Sequence, residues 1–330
     1  MTGRSESNHH QKHHGQPEHL KSAAPQTVRQ EGSRDKGKRP KTIKVKDAKA
    51  QVVRRISSLW KDHIDPLYAK AVIYQSELAF INRIGELLQY VEEAWKEEDA
   101  AEERAQQTKK ELQKLRSEVA GRKGEDRKET EQKSDPDLVR LEEKYWSDLT
   151  QSEEYGENSV ESLKKFLMEY RKANKAFLDG FKSITSIISK QDEEKKNQFL
   201  KFCENVGNYV TETEGKKPQD IQATLDIVNK AREALEELYA MCDAQGIQAV
   251  KKDLEEQEEI WSRLRGDEAR YIEKSVFEEA EQKLGDLSNR AKEIEKKQEQ
   301  KKGDAKKKLE IAMTDMQKLR HPSQKGSKKR

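Results

Sequence analysis

The stretch from Trp60 to Trp95, WKDHIDPLYAKAVIYQSELAFINRIGELLQYVEEAW, decides how this chain folds. Trp60, Leu67, Tyr74, Ile81, Leu88 and Trp95 recur along it every seven residues. Ile64, Ala71, Leu78 and Gly85 take the companion places four residues on, with Ile84 beside Gly85. Side chains three and four apart share one face of an α-helix, and a mean period of 3.5 is that of a left-handed coiled-coil seam. Pro66 falls inside the repeat without shifting it. A proline removes one helical N–H and crowds the preceding turn, so the match across it predicts a kink in one helix.

The same spacing appears further along. Leu149, Gly156, Leu163, Tyr170, Phe177 and Ile184 form a second series, with Tyr145, Phe166, Ala173 and Ile187 on companion positions. After a polar patch at 191–197, Phe199, Phe202, Val206 and Tyr209 resume it. A third series holds Ile221, Val228, Leu235, Cys242 and Ala249. It shifts register near 254–264 and continues with Ala280, Leu284, Leu287, Ala291 and Ile294. Leu309, Ala312, Met316 and Leu319 close the chain's apolar pattern.

Proline and glycine punctuate these series. Asp65 before Pro66 and Asp135 before Pro136 have the N-cap-then-proline order of a helix start, and Asp220 places an acid in the first turn after Pro218. Gly121, Gly124 and Gly215 supply stops. The map that follows is a lead-in helix over 43–64, a helix over 66–120, a charged loop over 121–135, and helices over 136–214 and 218–302. Together these make a helical body over 41–302. Residues 1–40 read as a disordered, basic, His-rich tail, and 303–330 as a short helix after a break at Gly303, then a basic disordered tail. No segment of any length alternates as a strand does. The expected fold is all-α: an elongated antiparallel bundle of about three long coiled-coil helices with disordered basic tails. Its seam holds Trp60, Leu67, Tyr74, Ile81, Leu88, Trp95, Leu163, Tyr170, Phe177, Ile184, Val228 and Leu235.

Composition points the same way. Of the 330 residues 39% are charged and 32% hydrophobic. One thick core needs closer to half, whereas stripes along helices need far fewer. The formal charge of +3 is unevenly spread. Residues 1–55 carry 14 Lys/Arg and 5 Asp/Glu, a net +9, and 301–330 carry 11 and 3, a net +8, which leaves −14 for the middle. Basic ends attract anionic partners: acidic lipid, nucleic acid, acidic protein or another copy's body. The densest basic run supplies the candidate anion contacts Arg34, Lys36, Lys38, Arg39, Lys41, Lys44 and Lys46.

Little points to catalysis. The sequence holds no GxxxxGK[ST], HExxH, GxSxG or CxxC. Five of its seven histidines lie within the first 19 residues, among them the HHxxHH cluster His9, His10, His13 and His14, a spacing able to bind Zn²⁺ or Ni²⁺ but with nothing around it to fix ligand geometry. His63, beside the kink, reads as a packing or capping residue. No cofactor is expected. Two cysteines, Cys203 and Cys242, exclude a disulfide framework and favour a reducing compartment. With no apolar run long enough to span a membrane and no signal-like stretch in the first 30 residues, an intracellular location is expected, cytoplasmic or nuclear.

The expected function is that of a non-enzymatic coiled-coil scaffold that forms a homo-oligomer, a dimer, and engages other helical proteins. In layout, residues 43–300, with three helices of about eighty residues kinked by proline and flanked by basic ends, resemble the membrane-curving BAR superfamily. The resemblance implies a membrane-binding module acting through a concave basic face on a dimer. A third reading, from the basic tails alone, is a nucleic-acid-associated protein.

Overall fold

The computed structural model describes residues 42–122, 136–212, 218–264 and 270–320. Among them the fold is all-α apart from one small sheet. Strand β1 (Thr42–Lys44) leads into α1 (Val45–Leu59), a π-helical turn (Trp60–Ile64) and α2 (Asp65–Arg122). Then come α3 (Pro136–Lys182), α4 (Lys190–Thr211), α5 (Pro218–Ala240), α6 (Ala244–Arg263), strand β2 (Tyr271–Glu273) and α7 (Lys274–Arg320). The chain divides into two compact units, one of residues up to Ile56 with Glu255–Gly285, the other of Ser57–Leu254 with Asp286 onward.

In the first unit β1 and β2 pair antiparallel, Ile43 opposite Ile272 and Lys44 opposite Tyr271. The sheet corrects two sequence expectations: that no strand is present, and that the lead-in helix begins at 43. Three residues are too few to display alternation, and the β-branched and aromatic Thr42, Ile43, Tyr271 and Ile272 are the only trace such a strand leaves. The Lys49 ammonium donates to the carbonyls of Ser262 at 2.9 Å and Leu264 at 3.0 Å. It thereby satisfies orphan acceptors at the C-terminal end of α6, where the helix dipole also favours a cation. Val45, Ala48, Val52 and Ile56 are buried at helical spacing, and Trp261, Ile272, Ala280 and Leu284 complete this core.

In the second unit α2 and α3 form an antiparallel hairpin. Gly180 packs on Ser76, Arg83 pairs with Glu169 (3.1 Å), Ser159 donates to the Ala94 carbonyl (3.2 Å), Thr108 to Asp148 (2.6 Å) and Arg116 to Glu142 (2.6 Å). Each pair of numbers sums to about 255, the constant sum of two antiparallel helices. The start of α3 at Pro136 matches the sequence reading, while the kink at Pro66 takes the form of a π turn. There the Asp65 N–H reaches back five residues to the Trp60 carbonyl, because Pro66 has no N–H and its ring excludes the regular turn.

The helix expected over 136–214 is two helices. Residues 183–189 contain only Ser, Thr and Ile, all middling helix formers. Ser189 then caps α4, its hydroxyl accepting from the Asp192 N–H (3.1 Å) and donating to the Asp192 carboxylate (2.7 Å). The chain reverses, so α4 lies antiparallel on α3: Phe177 meets Phe199, Tyr170 meets Gly207 and Lys196 sits over the Phe181 ring. A Cβ on Gly207 would come 3.2 Å from the Tyr170 ring, so the glycine lets the two helices approach without displacing that ring by a few tenths of an ångström.

The helix expected over 218–302 is likewise broken. Asp243 adopts φ 45, and its carboxylate accepts the Gly246 N–H at 3.0 Å, ending α5 and capping α6. A Cβ at residue 246 would collide with that carboxylate. The restart shifts the seam, so Ala249 is exposed while Ile247, Val250 and Leu254 are buried. The break expected at Gly303 is absent, since α7 runs from 274 to 320. One glycine costs a helix only about 1 kcal/mol, and burial of Ala305, Ala312 and Met316 offsets it.

Helices α5 to α7 pack on the base of the hairpin. Gly85 lies against Val228, Glu237 pairs with Lys308 (2.5 Å), the Gln298 amide donates to the Cys242 carbonyl (3.1 Å), and Arg320 reaches Asn205 (2.7 Å). At the centre lies an aromatic cluster of Phe80, Phe166, Tyr170, Phe177, Phe181, Phe199 and Phe202.

Cys203 and Cys242 are buried and free, and burial pushes both thiols up, Cys242 to about 11. Neither thiol should react with a disulfide reagent at neutral pH until the chain is unfolded, when two should titrate. A Cys203–Cys242 peptide from unreduced monomer would contradict this arrangement.

Candidate functional site

Eight of the twelve seam residues (Leu67, Ile81, Leu88, Trp95, Phe177, Ile184, Val228 and Leu235) are buried, and Trp60, Tyr74, Leu163 and Tyr170 are half-buried. Of the basic candidates, Arg34, Lys36, Lys38, Arg39 and Lys41 lie outside the described residues, as do the four clustered histidines. Lys44 and Lys46 are exposed. His63 sits in the π turn with its Nδ1 3.8 Å from Glu295.

Two features of the second unit carry chemistry. The first is a cavity of about 250 Å³ among α2, α4, α5 and α7. Ile73, Phe199, Leu238, Leu309 and Met313 form its apolar wall. Polar and charged residues, among them Lys70, Glu77, Asp192, Lys195 and Lys306, line the rest of it. Glu77 is 3% exposed, and among the described residues its carboxyl has neither a hydrogen bond nor an ion pair. Burial drives its pKa up to about 8, against a smaller opposing pull from Lys195 and a push from Asp192. Glu77 is therefore protonated at neutral pH, the state that costs least in a low dielectric. Lys306, opposite, is held down to about 8, first by burial and then by Lys302 and Lys195. Lys302 is itself paired with Glu299 at 3.1 Å, and Lys195 lies 3.7 Å from Asp192, whereas no ion pair holds Lys70 or Lys306 among the described residues.

No known family, curated protein or solved structure matches the chain. Its function must therefore be argued from its own surfaces.

The second feature is the outer face of α3. Val139, Trp146, Val160, Met168 and Leu178 are all exposed, Trp146 to 63%. At 100° per residue these five fall within an arc of about 80°. The first three also keep the sevenfold spacing, with Glu153 in the intermediate place. The large core reaches no further than Trp95 on α2 and Leu163 on α3. Beyond that point the hairpin's buried residues on α2 are the small or thin Ala101, Ala105, Thr108 and Leu112.

Glu77 carried no signal in the sequence, because one glutamate among 63 acidic residues stands out only once burial is known. The α3 face was not among the apolar series read from the sequence, because Glu153 interrupts its sevenfold spacing. No group of three or more potential metal ligands occurs among the described residues, and no helix there is long and apolar enough to cross a membrane.

Proposed function

We propose that the chain is a non-enzymatic helical scaffold that self-associates and engages protein partners through its body. Its basic ends contact anionic partners, and the α2–α3 hairpin acts as an elongated coiled-coil arm. The observation that carries this reading is the line of exposed apolar side chains along one face of α3. Large apolar side chains left in solvent along one helix face suit an interaction surface, and a sevenfold spacing suits a helical partner. The occupant is a second copy of this chain. Two antiparallel hairpins packed face to face make a four-helix bundle with twofold symmetry, the commonest symmetry of homo-oligomers. Two free buried cysteines fit a reducing, intracellular setting.

Sedimentation equilibrium tests the reading. The wild-type chain should be dimeric at micromolar concentration. The double substitution Trp146→Glu, Val160→Glu should give a monomer of unchanged helicity, because both side chains are already in solvent in the single chain. A monomeric wild type, or a double variant that remains dimeric, would sink the proposed interface.

A further inference from the structure

We propose that the cavity among α2, α4, α5 and α7 binds a small amphipathic carboxylate, its head held between Lys306 and the Glu77 carboxyl and its hydrocarbon chain laid along Ile73, Phe199, Leu238, Leu309 and Met313. The site is independent of the α3 face and of the scaffold reading.

The cavity pairs one continuous apolar wall with charged groups that converge on it, the two parts an amphipathic ligand needs. At about 250 Å³ it falls just below the roughly 300–1,000 Å³ of sites for drug-sized molecules, which favours a medium-length chain. A glutamate residue that is 97% buried with no hydrogen bond or ion pair among the described residues is costly to keep, and Glu77 lines this space.

The sign of the ligand follows from the charges that face Glu77 and Lys306. From α2 come Lys70 and the Tyr74 hydroxyl, with Glu77 itself neutral at pH 7. From α4 come Lys195 and Asp192, which face each other at 3.7 Å, and Asp192 is further engaged by Ser189; Glu194 is exposed. The lining residue from α5, Leu238, is uncharged. From α7 come Lys306 and, beside it, Lys302, occupied by Glu299; Glu310 is exposed. The acids are thus neutral, engaged or in solvent, and the lysines without an ion pair of their own among the described residues are Lys70 and Lys306, whose neighbouring acid, Glu299, is paired with Lys302. A carboxylate entering here accepts a hydrogen bond from protonated Glu77 and from the Lys306 ammonium, so one group answers both unmet needs. A cationic head would instead meet like charge from the lining lysines Lys70, Lys195 and Lys306.

Calorimetric titration of the full chain with decanoate at pH 7 tests this, with decanol and decylamine as the neutral and cationic comparisons. Saturable binding of one decanoate is expected, at least tenfold tighter than either comparison. Lys306→Met should weaken it at least tenfold while the circular dichroism and the melting temperature without ligand stay close to wild type. Glu77→Gln, which keeps a donor, should retain most of the affinity. Raising the pH from 7 to 9.5 should also weaken binding at least tenfold, because Glu77 then ionises and Lys306 loses its proton. Absence of saturable decanoate binding, equal or tighter binding of decylamine or decanol, or a Lys306→Met variant of wild-type affinity would each overturn the proposal.

Discussion

Phe177→Ala is expected to remove about 3–5 kcal/mol of folding stability, the usual loss when a buried phenylalanine leaves a cavity that its neighbours cannot close. Phe177 is 3% exposed and sits where three helices meet. Its ring centroid lies 5.3 Å from that of Phe80 on α2, 4.8 Å from that of Phe181 on α3 and 5.7 Å from that of Phe199 on α4. Truncation would remove aromatic contacts to all three at once, beyond the area it exposes. Set against the roughly 5–15 kcal/mol that a folded domain typically holds, the loss is a large fraction. Leu178, one residue on, is 44% exposed and provides the control, since Leu178→Ala should change stability by no more than about 0.5 kcal/mol in the monomer. Urea denaturation followed by circular dichroism measures both. A Phe177→Ala loss below about 1 kcal/mol would mean that the aromatic cluster is not packed as described.

Glu77→Gln is expected to do the opposite, and in a pH-dependent way. The Glu77 carboxyl is raised from 4.5 to about 8, chiefly by burial. Between those values the folded chain keeps a proton that the unfolded chain has released. The contribution is therefore fully present below 4.5 and is lost as pH rises, levelling off above about 8. A displacement of that size corresponds to at most about 5 kcal/mol. Glutamine keeps the shape and cannot ionise. Wild type and variant should thus be similar in stability at pH 5, and by pH 8.5 the variant should be the more stable by roughly 3–5 kcal/mol. Lys306 works in the other direction in a different window. Its folded value is lowered from 10.5 to about 8, so its penalty is relieved as pH climbs between those values. Comparison up to pH 8.5 isolates Glu77. Urea midpoints at pH 5, 7 and 8.5 decide the matter: parallel pH profiles for the two proteins would place the titrating proton elsewhere.

The two buried groups differ in how far the sequence reveals them. Phe177 belongs to a sevenfold apolar series, and its burial follows from local periodicity, whatever the helix packs against. Glu77 lies at an ordinary acidic position on a helix rich in charge. Its burial comes from α4, α5 and α7 converging on α2, and no local pattern encodes that. The break at 183–189 falls between these cases. The capping pair Ser189 and Asp192 is readable, yet the apolar period runs on through Phe199, Phe202 and Val206, so a single helix and a reversed pair look alike along the chain. The periodicity is kept because α4 presents the same kind of face to α3 that a continuation would have presented to some other partner. At Asp243 the cap depends on a positive φ that few side chains tolerate, and an Asp three residues before a Gly is too common a pairing to mark it.

What the sequence alone determined is the all-α class, the helix starts at the prolines and the identity of about half of the buried apolar residues. These depend on interactions within about four residues, namely caps, missing N–H groups and the helical period, which act the same way in any tertiary setting. What only the tertiary structure decided is where the long apolar series fold back, which face of α3 is left in solvent, the small sheet joining 42–44 to 271–273, and the cavity that holds Glu77 and Lys306. Each of these depends on residues tens to hundreds of positions apart meeting in space. Burial, and the pKa changes it causes, belongs to that meeting and not to any segment of the chain.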